Sequence, residues 1–207
     1  MNRILFIFLL AVTVFSLTAQ DRPDALVLYN AGKYAESEAV CRQELIDTPR
    51  NMNSFTVLGW ALLKQNKFEE ALKVSQEGLA IARYDNRIIK NVAEALFRLG
   101  RNKEALGYFQ QFAAFAPPTE GNLKIVYYFM GEIYLRFEEY NNADMSFSTA
   151  LHFDSNRADW WSRLGYSREM KKDYKNALEA YEKSLTLDAT LSDAQLGKRR
   201  VEQLLNG

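Results

Sequence analysis

Small residues recur along this chain at a nearly constant interval, and that spacing constrains the fold more than any other feature. One set consists of Ala25, Gly59, Ala93, Gly131 and Gly165. A second set, twelve residues further on, consists of Ser37, Ala71, Ala105, Ala143 and Ala177. Neighbouring members of a set are about 34 residues apart, except that the third step is four residues longer. This period is typical of stacked helical hairpins, because antiparallel helices approach closely only where the side chains at their crossing are small.

Turn and stop signals lie between the small residues in the places that hairpins require. Asn66-Lys67, Gly100-Arg101-Asn102 and Lys172-Asp173 fall where a hairpin must turn, and Pro49 and Pro117 fall where a second helix must stop. Large apolar residues at the intervening offsets would fill each hairpin and the seam to the next one. The sequence therefore predicts an all-α fold built as a stack of helical hairpins.

The fifth unit carries the most complete motif. Its pattern consists of Trp161, Leu164, Gly165, Tyr174, Ala177 and Tyr181. This resembles the tetratricopeptide repeat, in which an aromatic residue, a Leu-Gly pair and a later Ala-aromatic pair recur in each unit. Ala189 stands where the family usually has Pro, and Arg168 stands where it has an aromatic residue. The fourth and second units repeat the opening with Met130-Gly131 and Leu58-Gly59.

The resemblance extends over about residues 20–207 and implies a right-handed superhelical α-solenoid. Its units would lie near residues 18–51, 52–85, 86–119, 124–157 and 158–191. A stripe at helical spacing follows and consists of Ala194, Gly197, Val201, Leu204 and Leu205. It predicts a capping helix over 192–205 that covers the open end of the stack. The family serves many tasks, so the resemblance implies a scaffold without naming its partner.

The first nineteen residues are typical of a secretory signal peptide. Arg3 precedes an apolar run from Ile4 to Phe15, and Ala19 is a small residue in front of polar ones. The run is shorter than the roughly 20 apolar residues that span a bilayer. We therefore predict cleavage after Ala19 and a periplasmic or secreted protein. The alternative is an uncleaved leader that anchors the chain and provides its only membrane contact.

Composition excludes several classes of function. The chain has 26 basic and 26 acidic residues, so it lacks the basic surface of a dedicated nucleic-acid binder. Cys41 is the only cysteine, which rules out an intrachain disulfide. His152 is the only histidine and has no Cys or His partner for a metal site or a catalytic pair. We find no Gly-rich phosphate loop, and we predict a protein without catalytic residues, metal or cofactor.

The family resemblance implies a concave groove lined mainly by the first helix of each hairpin. The residues that it places there, and that we predict to bind a partner, are Trp60, Leu63, Lys64, Arg87, Lys90, Phe97, Arg98, Tyr128, Arg136 and Tyr166. Aromatic and Arg side chains of this kind anchor protein interfaces. The alternative is that the aromatic rings pack on neighbouring helices. The family's clamp for chaperone tails is not implied, because Glu94 stands where that clamp has Asn.

The sequence thus predicts a non-catalytic scaffold or adaptor of the cell envelope that binds a protein or peptide segment in the groove. Two alternatives remain open. The chain could be an oligomerising structural component, or a carbohydrate-binding envelope factor or enzyme subunit in which Trp60 and Tyr128 stack on sugars. The sequence leaves the oligomeric state open. The linker 117–122 adds four residues to one unit, either as a tolerated surface insertion or as a bend or contact point.

Overall fold

Every regular element that the structure describes is an α-helix. The structure, a computed structural model, describes residues 23–117 and 119–206, so the predicted signal peptide lies outside the described residues. The helices are α1 (Ala25–Asn30), α2 (Tyr34–Asp47), α3 (Met52–Lys64), α4 (Phe68–Ile81), α5 (Asn86–Arg98), α6 (Asn102–Phe115), α7 (Leu123–Arg136), α8 (Tyr140–Phe153), α9 (Ala158–Met170), α10 (Tyr174–Leu187) and α11 (Ser192–Asn206). The predicted all-α class is confirmed.

The helices pack in chain order as five hairpins followed by a single helix. Each helix contacts the next one along the chain, from α1 against α2 to α10 against α11. In addition, α3 contacts α1 and α5, and α11 contacts α9. The first helices α1, α3 and α5 therefore lie side by side, as do α9 and α11, whereas α7 meets α5 and α9 through aromatic side chains on the same face of the stack. This arrangement is the predicted stack of helical hairpins.

Each hairpin turn is made by one residue in the left-handed backbone region. The φ angles are 77° at Gly32 and 75° at Gly100, which glycine adopts freely, and 59°, 59° and 65° at Asn66, Glu138 and Lys172. In the second hairpin the turn is closed by the Lys67 N–H, which donates to the Leu62 carbonyl at 3.0 Å. A positive φ at this point ends one helix and reverses the chain for the next.

The recurrent small residues lie buried where the helices cross. A Cβ atom added to Gly131 would lie 2.7–2.8 Å from three atoms of the Phe147 ring, and one added to Gly165 would lie 2.8 Å from the Tyr181 ring. In the first hairpin the buried Ser37 hydroxyl donates to the Ala25 carbonyl at 2.7 Å. In the fourth and fifth hairpins the close approach of the two helices therefore depends on the missing side chain of the glycine.

The apolar core runs along the stack rather than gathering at one centre. One cluster extends from Ala25 to Ile133, a second surrounds Phe147 and Trp160, and a third joins Tyr181 to the last helix. Each hairpin therefore buries its apolar face on its neighbours, as repeat proteins do. Cys41 belongs to the first cluster, and burial raises the pKa of its thiol to about 12. The thiol therefore stays protonated and unreactive at neutral pH.

Helix α11 covers the end of the stack with only part of its predicted stripe. Ala194, Gly197 and Val201 are buried, whereas Leu204 and Leu205 are 53% and 41% exposed. The prediction is wrong for the last turn, because α11 has no second helix of its own hairpin to pack against in the described part of the chain. Arg199 lies exposed on α11, one regular repeat step after Gly165. A bulky residue thus replaces the small one that every earlier first helix carries.

Candidate partner-binding groove

A cavity of about 610 Å³ opens on the face formed by the first helices. We call it the groove cavity. It is lined by Tyr29, Trp60, Leu63, Lys64, Asn66, Asn86, Arg87, Lys90, Glu94, Arg98, Phe112, Glu120, Asn122, Ile125 and Phe129. Most of these side chains belong to α3, α5 and α7, and the others come from α1, α6, one hairpin turn and the 117–122 linker. Its volume is within the range of ligand pockets in proteins.

Aromatic rings form two opposite ends of the groove cavity. Trp60 packs against Tyr29, with ring centroids 5.6 Å apart, where the first hairpin meets the second. Phe112 and Phe129 belong to the third and fourth hairpins and are almost fully buried. Trp60 keeps a partly exposed ring, which α1 contacts through Tyr29. The cavity therefore offers apolar surface to a bulky side chain from outside.

Basic side chains outnumber acidic ones on the walls, with Lys64, Arg87, Lys90 and Arg98 set against Glu94 and Glu120. Lys90 pairs with Glu94 at 3.3 Å, and Arg98 approaches Glu94 only to 4.0 Å. Lys64 has neither an ion pair nor a side-chain hydrogen bond to any residue of the described ranges. A negative group entering the cavity would therefore find at least one unpaired cation.

Arg87 is held in place on the wall by neighbours outside the cavity. Its guanidinium donates to both carboxylate oxygens of Asp85, at 3.1 and 2.7 Å, and to the Asn53 side chain at 2.9 Å. Burial opposes the ionisation of Asp85, but the hydrogen bonds and charge of Arg87 outweigh it and lower the pKa of Asp85. The charge of Arg87 is thus largely neutralised before any partner binds.

Six of the predicted site residues lie on the walls of the groove cavity. They are Trp60, Leu63, Lys64, Arg87, Lys90 and Arg98. Phe97, which the sequence also placed on the groove, is only 8% exposed and packs on Phe129, with ring centroids 4.8 Å apart. Arg136 lies over the outer side of the Phe97 ring at 4.5 Å and donates to Asn102 at 2.8 Å. These two residues therefore support the wall behind the cavity.

The other two predicted aromatic residues lie further along the stack. Tyr128 stacks on Trp160 at 5.0 Å, and burial, reinforced by the charge of Glu132, raises the pKa of its hydroxyl to about 12. Tyr166 lines a separate cavity of about 200 Å³ near α11, together with Arg163 and others. Arg163 donates to both carboxylate oxygens of Glu132, at 2.5 and 2.8 Å. This half of the face is mostly closed by its own aromatic stacking and ion pairs.

Seven residues of the groove cavity were not predicted to lie there from the sequence. They are Tyr29, Asn66, Asn86, Phe112, Glu120, Asn122 and Phe129. Tyr29 stands one repeat step before Leu63, but the groove positions were not extended to the first unit because its motif is weak. The longer third step between the recurrent small residues was the one signal that could have pointed to the linker.

Side chains that commonly bind metal ions are scattered over the described part of the chain. Within residues 23–117 and 119–206, no three His, Cys, Asp or Glu side chains are grouped so that they could hold a metal ion. His152 is exposed beside the ring of Phe153, 5.7 Å between centroids. Among the helices described, none is both long and apolar enough to cross a bilayer.

Comparisons with known proteins agree with this architecture. Models of the tetratricopeptide repeat match residues 24–86, 57–119 and 158–191, which together make up more than half of the chain. No curated protein sequence matches the chain at a significant level. At 14–18% identity, the similarity to the solved structures shows the fold alone.

Three solved structures illustrate the likeness. PilF of Pseudomonas aeruginosa is 15% identical with a TM-score of 0.75, over 88% of this chain and 81% of that one. MamA of Desulfovibrio magneticus RS-1 is 18% identical with a TM-score of 0.70, over 81% and 93%. YrrB, described as a protein with an unusual peptide-binding site, is 17% identical with a TM-score of 0.70, over 84% and 88%.

Proposed function

Because the chain belongs to the tetratricopeptide repeat family of protein-interaction scaffolds, we propose that it is a non-catalytic adaptor that binds a segment of a partner protein in the groove cavity. One observation carries the proposal. A cavity large enough for several side chains combines aromatic surface at Tyr29 and Trp60 with an unpaired cation at Lys64. Apolar anchors surrounded by charged side chains are the usual composition of a binding surface. YrrB, with the same fold, has a peptide-binding site.

The geometry favours this adaptor over the sugar-binding alternative raised by the sequence. Trp60 lines the groove cavity, whereas Tyr128 stacks on Trp160, so these two rings do not share one surface for a sugar. For the oligomerising alternative α11 offers both kinds of side chain, since Leu196, Leu204 and Leu205 are exposed on it beside the charged Arg199. The proposal rests on the groove cavity, which combines its volume with aromatic surface.

We further propose that the protein acts in the cell envelope after export. The support is the leader, in which Arg3, the apolar run and Ala19 occur in the order of a signal peptide. The expected result is a mature chain that begins at Gln20 or Asp21, measured by N-terminal sequencing of protein from its own host. A membrane-bound chain that still begins at Met1 or Asn2 would instead support the anchored alternative.

Binding in the groove cavity is testable by site-specific photocrosslinking. Replacing Lys64 with p-benzoylphenylalanine is expected to give discrete crosslinked adducts with a partner in cells, because this side chain borders the cavity and the rings of Tyr29 and Trp60 stay in place to bind the segment. The replacement removes one cation of the cavity, so the adducts report binding that depends on the apolar anchor. Adding Trp60→Ala to the same chain should reduce the adduct yield about tenfold, since loss of a buried anchor costs on the order of 1–2 kcal/mol.

The matched control is the same photoreactive residue at Glu179, which is exposed on α10 outside the groove cavity. Position 179 should give no adducts that depend on Trp60. Adducts at position 179 alone, or adducts at position 64 that persist unchanged with Trp60→Ala, would show that partners bind elsewhere on the protein.

A further inference from the structure

Residues 119–122 of the linker between the third and fourth hairpins make hydrogen bonds that hold a carboxylate in place. The Glu120 N–H donates to the Pro117 carbonyl at 2.8 Å, and the Leu123 N–H donates to the Glu120 carbonyl at 3.0 Å. One carboxylate oxygen of Glu120 accepts from the backbone N–H and the side-chain amide of Asn122, at 3.2 and 2.7 Å. These bonds fix the direction of the Glu120 side chain.

Two residues of the linker form part of the wall of the groove cavity. Glu120 and Asn122, which we call the linker wall, both line the cavity. Glu120 has no ion pair with any side chain in the described ranges, and its second carboxylate oxygen accepts no hydrogen bond there. The linker therefore adds an unneutralised negative charge to an otherwise basic cavity.

The charges of the groove cavity are separated between its two edges. Lys64 and Arg98 lie in the last turns of α3 and α5, at the edge where the hairpins turn. Glu120 lies at the opposite edge, where α6 ends and α7 begins. Arg87 shares that second edge, but Asp85 already neutralises its charge. A segment lying along the groove would therefore meet positive charge on one side and negative charge on the other.

We propose that the linker wall selects the charge pattern of the bound segment, an inference that rests on the proposed function of the groove. Acidic side chains of the segment face Lys64 and Arg98, and a basic side chain faces Glu120. Successive side chains of an extended chain point to opposite sides. The preferred partner is thus an extended protein segment in which acidic and basic residues alternate around a bulky apolar residue that inserts beside Trp60.

Two fluorescein-labelled peptides of about nine residues, each with a central Phe, test this pattern by anisotropy with the full chain. One alternates Glu and Lys on both sides of the Phe, and the other has Glu at all of these positions. The wild-type protein should bind the alternating peptide at least threefold more tightly. Glu120→Lys should reverse this order, because the all-acidic peptide then meets positive charge on both edges.

Two further variants separate the charge effect from damage to the turn. Glu120→Gln keeps the oxygen that accepts from Asn122 and removes the charge, so it should bring the two affinities within twofold of each other. Glu179→Lys makes the same charge reversal on an exposed part of α10 and should leave the wild-type preference unchanged. The inference is overturned if Glu120→Lys behaves like Glu179→Lys, or if the wild type prefers the all-acidic peptide.

The same assay distinguishes failure of the inference from failure of the proposed function. If Trp60→Ala weakens both peptides but the Glu120 variants bind as the wild type does, the groove is the binding site and the linker wall has no role in selection. If neither peptide binds, or if Trp60→Ala leaves the affinity unchanged, the result contradicts both the groove as a binding site and the role of the linker wall.

Discussion

Gly131→Leu is expected to lower the thermal midpoint of unfolding by roughly 4–8 °C, from a net loss of about 2 kcal/mol. Even the first carbon of the new side chain would collide with the Phe147 ring at 2.7–2.8 Å. That ring is fully buried and has Tyr128 beside it, so it has no open space to move into. The higher helix propensity of Leu offsets less than about 1 kcal/mol of this loss of stability. Calorimetry or a circular-dichroism melt measures the shift.

Gly107→Leu is the matched control, because it is the same substitution on a second helix with open space around it. A Cβ atom added to Gly107 meets nothing within 4 Å. This variant should be as stable as the wild type or more stable by up to about 1 kcal/mol, through helix propensity alone. If the two substitutions have the same effect on stability, Gly131 does not lie at a close helix crossing.

The second large effect is expected from Gly197→Leu, which should detach α11 and leave the centre of the stack folded. The Tyr181 ring lies against Gly197 and leaves no room for a side chain there. It cannot turn away freely, because its hydroxyl donates to Glu169 at 2.6 Å and Arg200 holds the same carboxylate at 2.7 and 2.8 Å. Overpacking of this kind costs roughly 1–3 kcal/mol.

Hydrogen exchange measured by mass spectrometry shows which helices lose amide protection in each variant. In Gly197→Leu the amides of α11 should lose protection, those of α10 should lose part of it, and those of α3 to α6 should keep it. Gly131→Leu should instead reduce protection in α7 and in the helices on both sides of it. The difference follows from units that contact only their neighbours. A uniform loss of protection in Gly197→Leu would mean that the stack unfolds as one cooperative body.

The fold could be predicted from the sequence because a small residue is needed at the same position of each hairpin. At Gly131 and Gly165 a ring of the hairpin's second helix leaves no room for a side chain, and at Gly59 the side chains of Asn91 and Ser75 leave equally little. The regular spacing of these small residues can be recognised even in the first unit, where the rest of the motif is weak. The exposure of Leu204 and Leu205 in the last turn of α11 was not predicted. The spacing of apolar residues indicates which face of a helix is apolar, but burial also requires a neighbouring helix that covers this face.

The site could be predicted only in part from the sequence. A position in the repeat predicts the face of the helix on which a side chain lies, but it does not predict which neighbouring residues cover that side chain. Trp60 and Lys64 lie on the wall of the groove cavity, where the Trp60 ring stays partly exposed beside Tyr29. Phe97 occupies a comparable position on α5, but Phe129 of the next hairpin covers it. Glu120 belongs to no repeat position at all, so only the course of the backbone through the linker could place it on the wall.

Arg199 also determines how a stack of this kind can grow longer. A hairpin added after α11 would meet this long side chain at the point where earlier helix pairs meet a small residue. A duplicate of the fifth unit inserted between α8 and α9 would bring its own copy of Gly165 and would dock on surfaces that already accept a hairpin. Lengthening the stack at that internal position is therefore expected to preserve folding better than adding a hairpin directly after α11.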